Sequence, residues 1–197
     1  MSDTKPTTDN LLKSLGKQRG PAPVHLWDPP YCGEMDMRIA ADGRWYHQGS
    51  PIGRLRMVQL FSSILRLDDD GHYYLVTPVE KVRIRVDDCP FVAQLMDVVD
   101  EDGRQCLRFT LNTEETVDAG PENPIDVTLN EAGEPHPVLE VRRGLKALIS
   151  RSVFYQMVEL AQLDPAADDT SKALKNKAYR RSASIVSKGQ KFALGQF

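Results

Sequence analysis

Between residues 81 and 86 the chain alternates strictly: Val82, Ile84 and Val86 are apolar while Lys81, Arg83 and Arg85 are basic. A period of two places the apolar set on one face of a β-strand and the three cations on the other. The preceding run, LDDDGHYYLVTP, predicts a partner strand before Pro78, with Asp68, Asp69, Asp70 and Gly71 as a turn. Upstream, MDMRIAADGRWYHQG predicts a hairpin around Asp42-Gly43, a dipeptide suited to a type I′ turn. SPIGRLRMVQLFSSIL changes period. Leu55, Val58, Phe61, Ile64 and Leu65 recur at helical spacing, with Ser50 as N-cap and Pro51 at the first helical position.

From Cys89 and Pro90 onward the pattern is a meander. FVAQLMDVVD, QCLRFTLN, PIDVTLN and HPVLEV predict strands, with turns at EDGR and EAGE and a Pro-rich connection between the second and third. GLKALISRSVFYQMVELAQ then predicts a closing helix with Leu145, Leu148, Ile149, Met157 and Leu160 on one stripe, divisible in two if Ser152 caps a second segment. The fold class is therefore α+β: two successive modules, each an antiparallel sheet with one principal helix, because each sheet needs a layer on its apolar face. The modules span 31–88 and 89–162 and suggest a duplication, with a single continuous sheet as the alternative. Residues 1–30 are an arm rich in Pro and Gly in which DNLLKSLGKQ predicts a short helix, and Trp27 and Tyr31 are its expected anchors. Residues 163–197 are expected to be a basic tail.

Charge sharpens that last point. The net charge is −3, but residues 162–197 carry seven Lys or Arg against three acids, so a +4 tail follows a −7 body. Such a tail either contacts an anionic partner or is simply solvated, and the acidic body argues against nucleic acid. The three cysteines, Cys32, Cys89 and Cys106, are too scattered for a disulfide framework, no secretory or membrane-spanning apolar run is present, and a cytoplasmic location is expected.

Candidate chemistry is sparse. G-x-S-x-G is missing, and His25, His47, His72 and His136 are dispersed with no zinc-type spacing, so neither a catalytic residue, a metal nor a cofactor is expected. The pattern that invites a ligand is GSPIGR with EKVRIRV. A Ser-Pro helix start would expose backbone N–H groups and the positive end of the helix dipole beside Arg54, and the strand would add Lys81, Arg83 and Arg85. Ser50, Gly53, Arg54, Lys81, Arg83, Arg85, Arg142 and Arg143 are thus the candidate anion-binding residues, with a concave site expected between the two modules. The competing interpretation is structural: a capped helix, a glycine needed for close packing, and cations paired with Glu80, Asp87 or Asp88. Trp27, Trp45, Tyr46, Tyr73 and Tyr74 likewise either stack on a base or fill the core.

The motifs W27-D-P-P-Y-C-G-E-M-D-M-R-I-A-A-D-G-R-W45, G49-S-P-I-G-R54, Y74-L-V-T-P-V-E-K-V-R-I-R-V86 and V141-R-R-G-L145 resemble a bacterial family of unknown function, DUF1285, over residues 25–162. The resemblance implies two domains with an internally repeated core, a second domain similar to pleckstrin-homology folds, and a nucleotide-like ligand between the domains in a signalling role. Three functions are compatible with it: a non-catalytic sensor or adaptor for a small phosphorylated or nucleotide-like molecule, a module for a protein or membrane surface, and an enzyme whose site is assembled from distant residues.

Overall fold

The computed structural model describes residues 21–163 and 182–196. The expected helix in DNLLKSLGKQ and five of the tail cations, Lys172, Lys175, Lys177, Arg180 and Arg181, lie outside the described residues. The chain falls into two compact units, one running through Phe91 and including Arg143–Leu145, the other formed by Val92–Arg142 and the residues from Lys146 onward.

The first unit holds a six-stranded sheet of order β3-β2-β1-β6-β5-β4, with β1 Tyr31–Ile39, β2 Trp45–His47, β3 Ser50–Pro51, β4 Leu65–Leu67, β5 Tyr73–Val76 and β6 Lys81–Val86. Only β1 and β6 run parallel; the other neighbours are antiparallel. Helix α1, Leu55–Ser63, buries Val58 and Phe61, and the Phe61 ring stacks on Trp45 at 6.1 Å between centroids. Trp45 pairs with Ile39, so α1 covers the sheet face that carries Met35, Met37, Ile39, Leu75, Val82 and Ile84, all buried. The alternation read in 81–86 holds: Val82 and Ile84 point inward while Lys81, Arg83 and Arg85 remain partly or fully exposed.

Two local expectations change. The loop at Asp42-Gly43 is not a type I′ turn, because only Gly43 has positive φ; the Gly43 N–H bonds to Ala40 O and the Ala40 N–H to Arg44 O, a wider turn that Asp42 steadies by accepting from the Arg44 N–H. The type I′ geometry falls instead at Gln48-Gly49, where φ is +50° and +73°. That tight turn folds Ser50 and Pro51 back onto His47 and Tyr46 as edge strand β3, a position that tolerates a proline. Ser50 is therefore not a helix cap. α1 starts at Leu55, four residues past Pro51, with Arg54 at its N-cap and no side-chain cap.

The second sheet is likewise six-stranded, of order β10-β11-β12-β7-β8-β9, and forms a half-barrel. Its strands are β7 Phe91–Glu101, β8 Arg104–Leu111, β9 Thr116–Asp118, β10 Ile125–Leu129, β11 Pro135–Arg142 and β12 Leu145–Ile149. Strands β7, β8, β10 and β11 form where predicted, with β9 an addition inside the Pro-rich connection, but the continuous antiparallel meander is corrected: β9 and β10 end at opposite edges, β12 joins β11 to β7, and the sheet is mixed. The closing helix is corrected: Leu145–Ile149 is a strand in which Leu145, Ala147 and Ile149 are buried and Lys146 is exposed. Leu145, Leu148 and Ile149 fit a helical stripe only while Ala147 is ignored. α2 spans Arg151–Glu159, with Ser150 rather than Ser152 as its cap, and packs Val153, Phe154 and Met157 inward while Gln156 Nε2 donates to Met96 O on β7.

The described residues of the expected basic tail, 163 and 182–196, are strand. Residues 162–163 (β13), Ser182–Ser187 (β14) and Gln190–Gln196 (β15) make a third, three-stranded sheet, and Ala183, Ile185, Phe192 and Leu194 are buried. The molecule is mostly sheet, with two α-helices of nine residues each and a 3-10 turn at Val24–Leu26 among the described residues.

Candidate functional site

Register decides which side chains share the outer face of the first sheet. Arg66 lies opposite Tyr74, Tyr74 opposite Arg83, and Arg83 opposite Glu34, so one polar row crosses β4, β5, β6 and β1. A second row joins Arg85, Arg38 and Tyr46. Gly33 has φ of +100° and the β1–β6 register shifts on both sides of Glu34, which displaces the Glu34 side chain along this face.

At one end of the face the charges are closed upon each other. Asp68 accepts from Arg66 through both carboxylate oxygens and from Lys81 Nζ at 3.0 Å, while Arg66 also donates to the carbonyls of Val24 and Trp27. The expected anchoring of the arm is thus partly a backbone matter: Arg66 holds the Trp27 carbonyl, and Tyr31 meets Tyr74 edge-on at 6.1 Å. Burial alone would raise the Asp68 pKa, but the hydrogen bonds from Arg66 and Lys81 outweigh it and the carboxyl lies below its ordinary value. Asp68–Gly71 is a turn, as read from the sequence. Asp70 accepts from the Tyr74 hydroxyl at 2.6 Å, which pushes the Tyr74 pKa up to about 12. Lys81 Nζ sits 4.6 Å from the Tyr74 ring centroid. Of the three strand cations, Lys81 is the one most committed to structure.

The other end of the face is open. Glu34, Met35, Gly71, His72, Tyr73, Arg83, Ile84, Arg85 and Val86 line a cleft of about 360 Å³. Arg83 Nη1 meets Glu34 Oε1 at 3.2 Å, with the two side chains 37% and 68% exposed. Arg85 Nε meets Asp87 Oδ1 at 3.0 Å and is 75% exposed; Asp87 also pairs with Arg38 at 3.3 Å. The structural pairing foreseen for the strand cations therefore occurs, with Asp87 as expected and with Glu34 and Asp68 as further partners. The Arg83 and Arg85 pairs are solvent-facing ones of the kind worth ~0–1 kcal/mol each, so they leave the two guanidinium groups available to a stronger anion.

The remaining candidates do not join this cleft. Ser50 lies on edge strand β3, three strands from β6. A Cβ on Gly53 would meet nothing within 4 Å, so its lack of a side chain serves no close packing. Arg54 marks the start of α1. Arg142 forms a fork with Glu115 at 2.7 and 2.8 Å and is only 19% exposed, while Arg143 occupies the tight β11–β12 turn with φ of +47° rather than a helix entrance. Trp45 and Tyr74 belong to the core and the polar network. Tyr73, named from the sequence as a base-stacking or core aromatic, lines the cleft, whereas sequence reasoning missed Glu34 and His72; the period-two exposure of Glu34 was visible, but its register against Arg83 was not.

The second unit carries its own charged cluster. Arg108 grips Asp118 through Nε at 2.7 Å and Nη2 at 2.9 Å and reaches Glu101 at 2.6 Å; Lys188 meets Asp118 at 3.0 Å and Glu101 at 3.4 Å. The Arg108 hydrogen bond is the main reason that the Asp118 carboxyl lies well below the usual carboxylate range, and the Asp118 bond raises Lys188. Lys188 sits in the β14–β15 turn, whose preceding Ser187 accepts from the Leu107 N–H at 2.9 Å and donates to Ala119 O at 2.7 Å. Glu101, Cys106 and Asp118 place potential metal-ligand atoms within 4.8 Å of one another. Their electrostatics favour the side-chain cations already present: both carboxylates face Arg108 and Lys188, and burial pushes the Cys106 thiol up, toward the protonated form.

Two family models cover almost all of the described chain: the DUF1285 N-terminal domain matches residues 22–89 and the DUF1285 C-terminal domain residues 90–194. The chain belongs to the DUF1285 family. A DUF1285 crystal structure from Silicibacter pomeroyi DSS-3 is 44% identical, with a TM-score of 0.80 over 96% of this chain and 97% of that one. Another, from Shewanella baltica OS155, is 26% identical, with a TM-score of 0.51 over 64% of this chain and 91% of that one. No curated protein matches the chain. DUF1285 is a family of unknown function, so its members add a shared fold to the geometry and leave the chemistry to the residues.

Proposed function

We propose that this DUF1285 protein is a non-catalytic ligand-binding protein, a sensor or adaptor in signal transduction, which takes a small phosphorylated or nucleotide-like molecule. The observation that carries this reading is the cleft of about 360 Å³ flanked by Arg83 and Arg85, two exposed guanidinium groups two residues apart on one strand face. Such a pair offers ten N–H donors in fixed planes, the arrangement that suits phosphate oxygens. His72 and Tyr73 on the rim give a flat partner for the rest of the ligand. Three free cysteines among the described residues accord with a cytoplasmic setting.

Thermal-shift measurements with nucleotides and phosphate esters test the proposal. Stabilisation of the wild type that disappears in Arg83→Ala and persists in Arg54→Ala, outside the cleft lining, is the expected result. If no anion stabilises the wild type, the proposal fails.

The second unit favours a second reading, a docking module for a protein or membrane surface. Its half-barrel with one helix is the part for which the resemblance implies a pleckstrin-homology-like fold, and Leu95, Leu129 and Tyr155 are exposed on it. Flotation with anionic vesicles separates this reading from the first, since a soluble ligand in the Arg83 cleft gives no vesicle binding.

A further inference from the structure

We infer that Glu34 is an internal counter-ion of the Arg83 cleft, occupying the place of the ligand's anionic group, and that the cleft consequently selects a dianionic phosphoryl group over a carboxylate; this rests on the anion-binding reading above. Glu34 lines the cleft, its carboxylate meets Arg83 at 3.2 Å, and it is 68% exposed, so nothing but Arg83 restrains it among the contacts seen. An incoming carboxylate would replace one carboxylate–guanidinium pair by another and gain almost nothing. A phosphate monoester differs in charge and in reach. Arg83 and Arg85 are alternate residues of β6, about 7 Å apart along the strand, and their long side chains converge on the same cleft. A phosphoryl group with three oxygens can accept from both while displacing Glu34 from one. Arg85 is 75% exposed and shares its carboxylate, Asp87, with Arg38, which leaves it free to turn toward the ligand without leaving Asp87 unpaired.

Phenyl phosphate and benzoate, which share a ring and differ in the anionic group, are the probes, followed by backbone-amide NMR shifts in full-length protein. Wild type is expected to bind phenyl phosphate at least tenfold more tightly than benzoate, with shifts centred on residues 83–86. Glu34→Gln should tighten phenyl phosphate about three- to fivefold, the amount set by opening one exposed ion pair. Arg85→Gln should bring phenyl phosphate down to the level of benzoate. If Glu34→Gln leaves affinity unchanged or weakens it, Glu34 orients Arg83 instead of competing for it, and the inference is overturned while the anion site stands. Equal binding of both probes to wild type overturns the phosphoryl preference. If neither probe shifts residues 83–86, the cleft is no anion site and the inference falls with the reading beneath it.

Discussion

Arg83 and Arg108 are equally exposed, at 37% of the side chain, and each lies on the polar face of a six-stranded sheet opposite a carboxylate, yet they are held to different degrees. Among the described residues Arg83 makes one ion pair, to a glutamate that is itself 68% exposed. Arg108 has a fork on Asp118, which is 20% exposed, and a further bond to Glu101. The accessibility of a cation therefore says little about its availability. What decides is the restraint on its partner: Asp118 is fixed by two cations and a docked hairpin turn, whereas Glu34 is free to leave. The first region is an open charged face, the proposed ligand site, and the second a closed clasp.

The sharpest way to break this comparison is to remove Asp118. Asp118→Ala leaves Arg108 and Lys188 with Glu101 as their shared carboxylate and is expected to cost about 2–3 kcal/mol, measured by urea denaturation, since hydrogen bonds to charged groups contribute ~1.5–3 kcal/mol. A loss below about 0.5 kcal/mol would make the cluster as loose as the Arg83 pair and void the contrast. The pH dependence has a definite sign. The folded Asp118 pKa is depressed, so its contribution is present above the ordinary carboxylate pKa of ~3.9 and is lost as pH falls below it. The stability gap between wild type and Asp118→Ala should accordingly be constant near neutrality and close in acid.

Next in size is Ser187→Ala. The hydroxyl is fully buried and serves the Leu107 N–H and the Ala119 carbonyl together, so its removal strands two backbone groups and should cost about 1–3 kcal/mol. Hydrogen exchange at the Leu107 amide should accelerate in parallel. An unchanged amide would mean that the hairpin is not docked through this serine.

Tyr74 gives an intermediate case on the first sheet, at the closed end of the face whose other end is open. With its pKa raised to about 12 by the bond to Asp70, its phenol should titrate well after the exposed tyrosines in absorbance at 295 nm, and Asp70→Asn should return it toward ~10. The sign is opposite to that of Asp118: a raised folded pKa means a contribution complete below pH ~10 and lost as pH rises through about 12. Titration near the ordinary value in the wild type would mean that the Tyr74 hydroxyl is not bonded to Asp70.

The difference between the two regions also explains what was legible in the sequence. The face of β6 was readable because alternation over six residues is local, and Lys81, Arg83 and Arg85 fall on one side whatever the fold. The α1 stripe was readable in the same way through Val58 and Phe61, though its start was not: Gln48-Gly49 makes a tight turn that draws Ser50 and Pro51 into an edge strand, and a Ser-Pro pair suits either role. The clasp was invisible. Arg108 and Lys188 are 80 residues apart, and nothing near Lys188 distinguishes a docking charge from a solvated tail lysine. The Leu145–Ile149 strand was mistaken for helix because a stretch as short as LKALI satisfies both periods, and the sheet position that settles the matter is tertiary.

The smallest expected effect is the one on which the open region depends. Arg83→Ala and Glu34→Gln each remove half of one exposed ion pair, and denaturation should register a change of no more than about 0.5 kcal/mol in either. This near-silence separates a binding residue from a structural one, because a cation that matters to a ligand and not to the fold can be deleted without loss of stability. If Arg83→Ala instead lowers stability by 2 kcal/mol or more, on the order of Asp118→Ala, its guanidinium is part of the framework of β1 and β6. The two sheets would then use their arginines in the same way, and the open cleft would lose its claim to be the site.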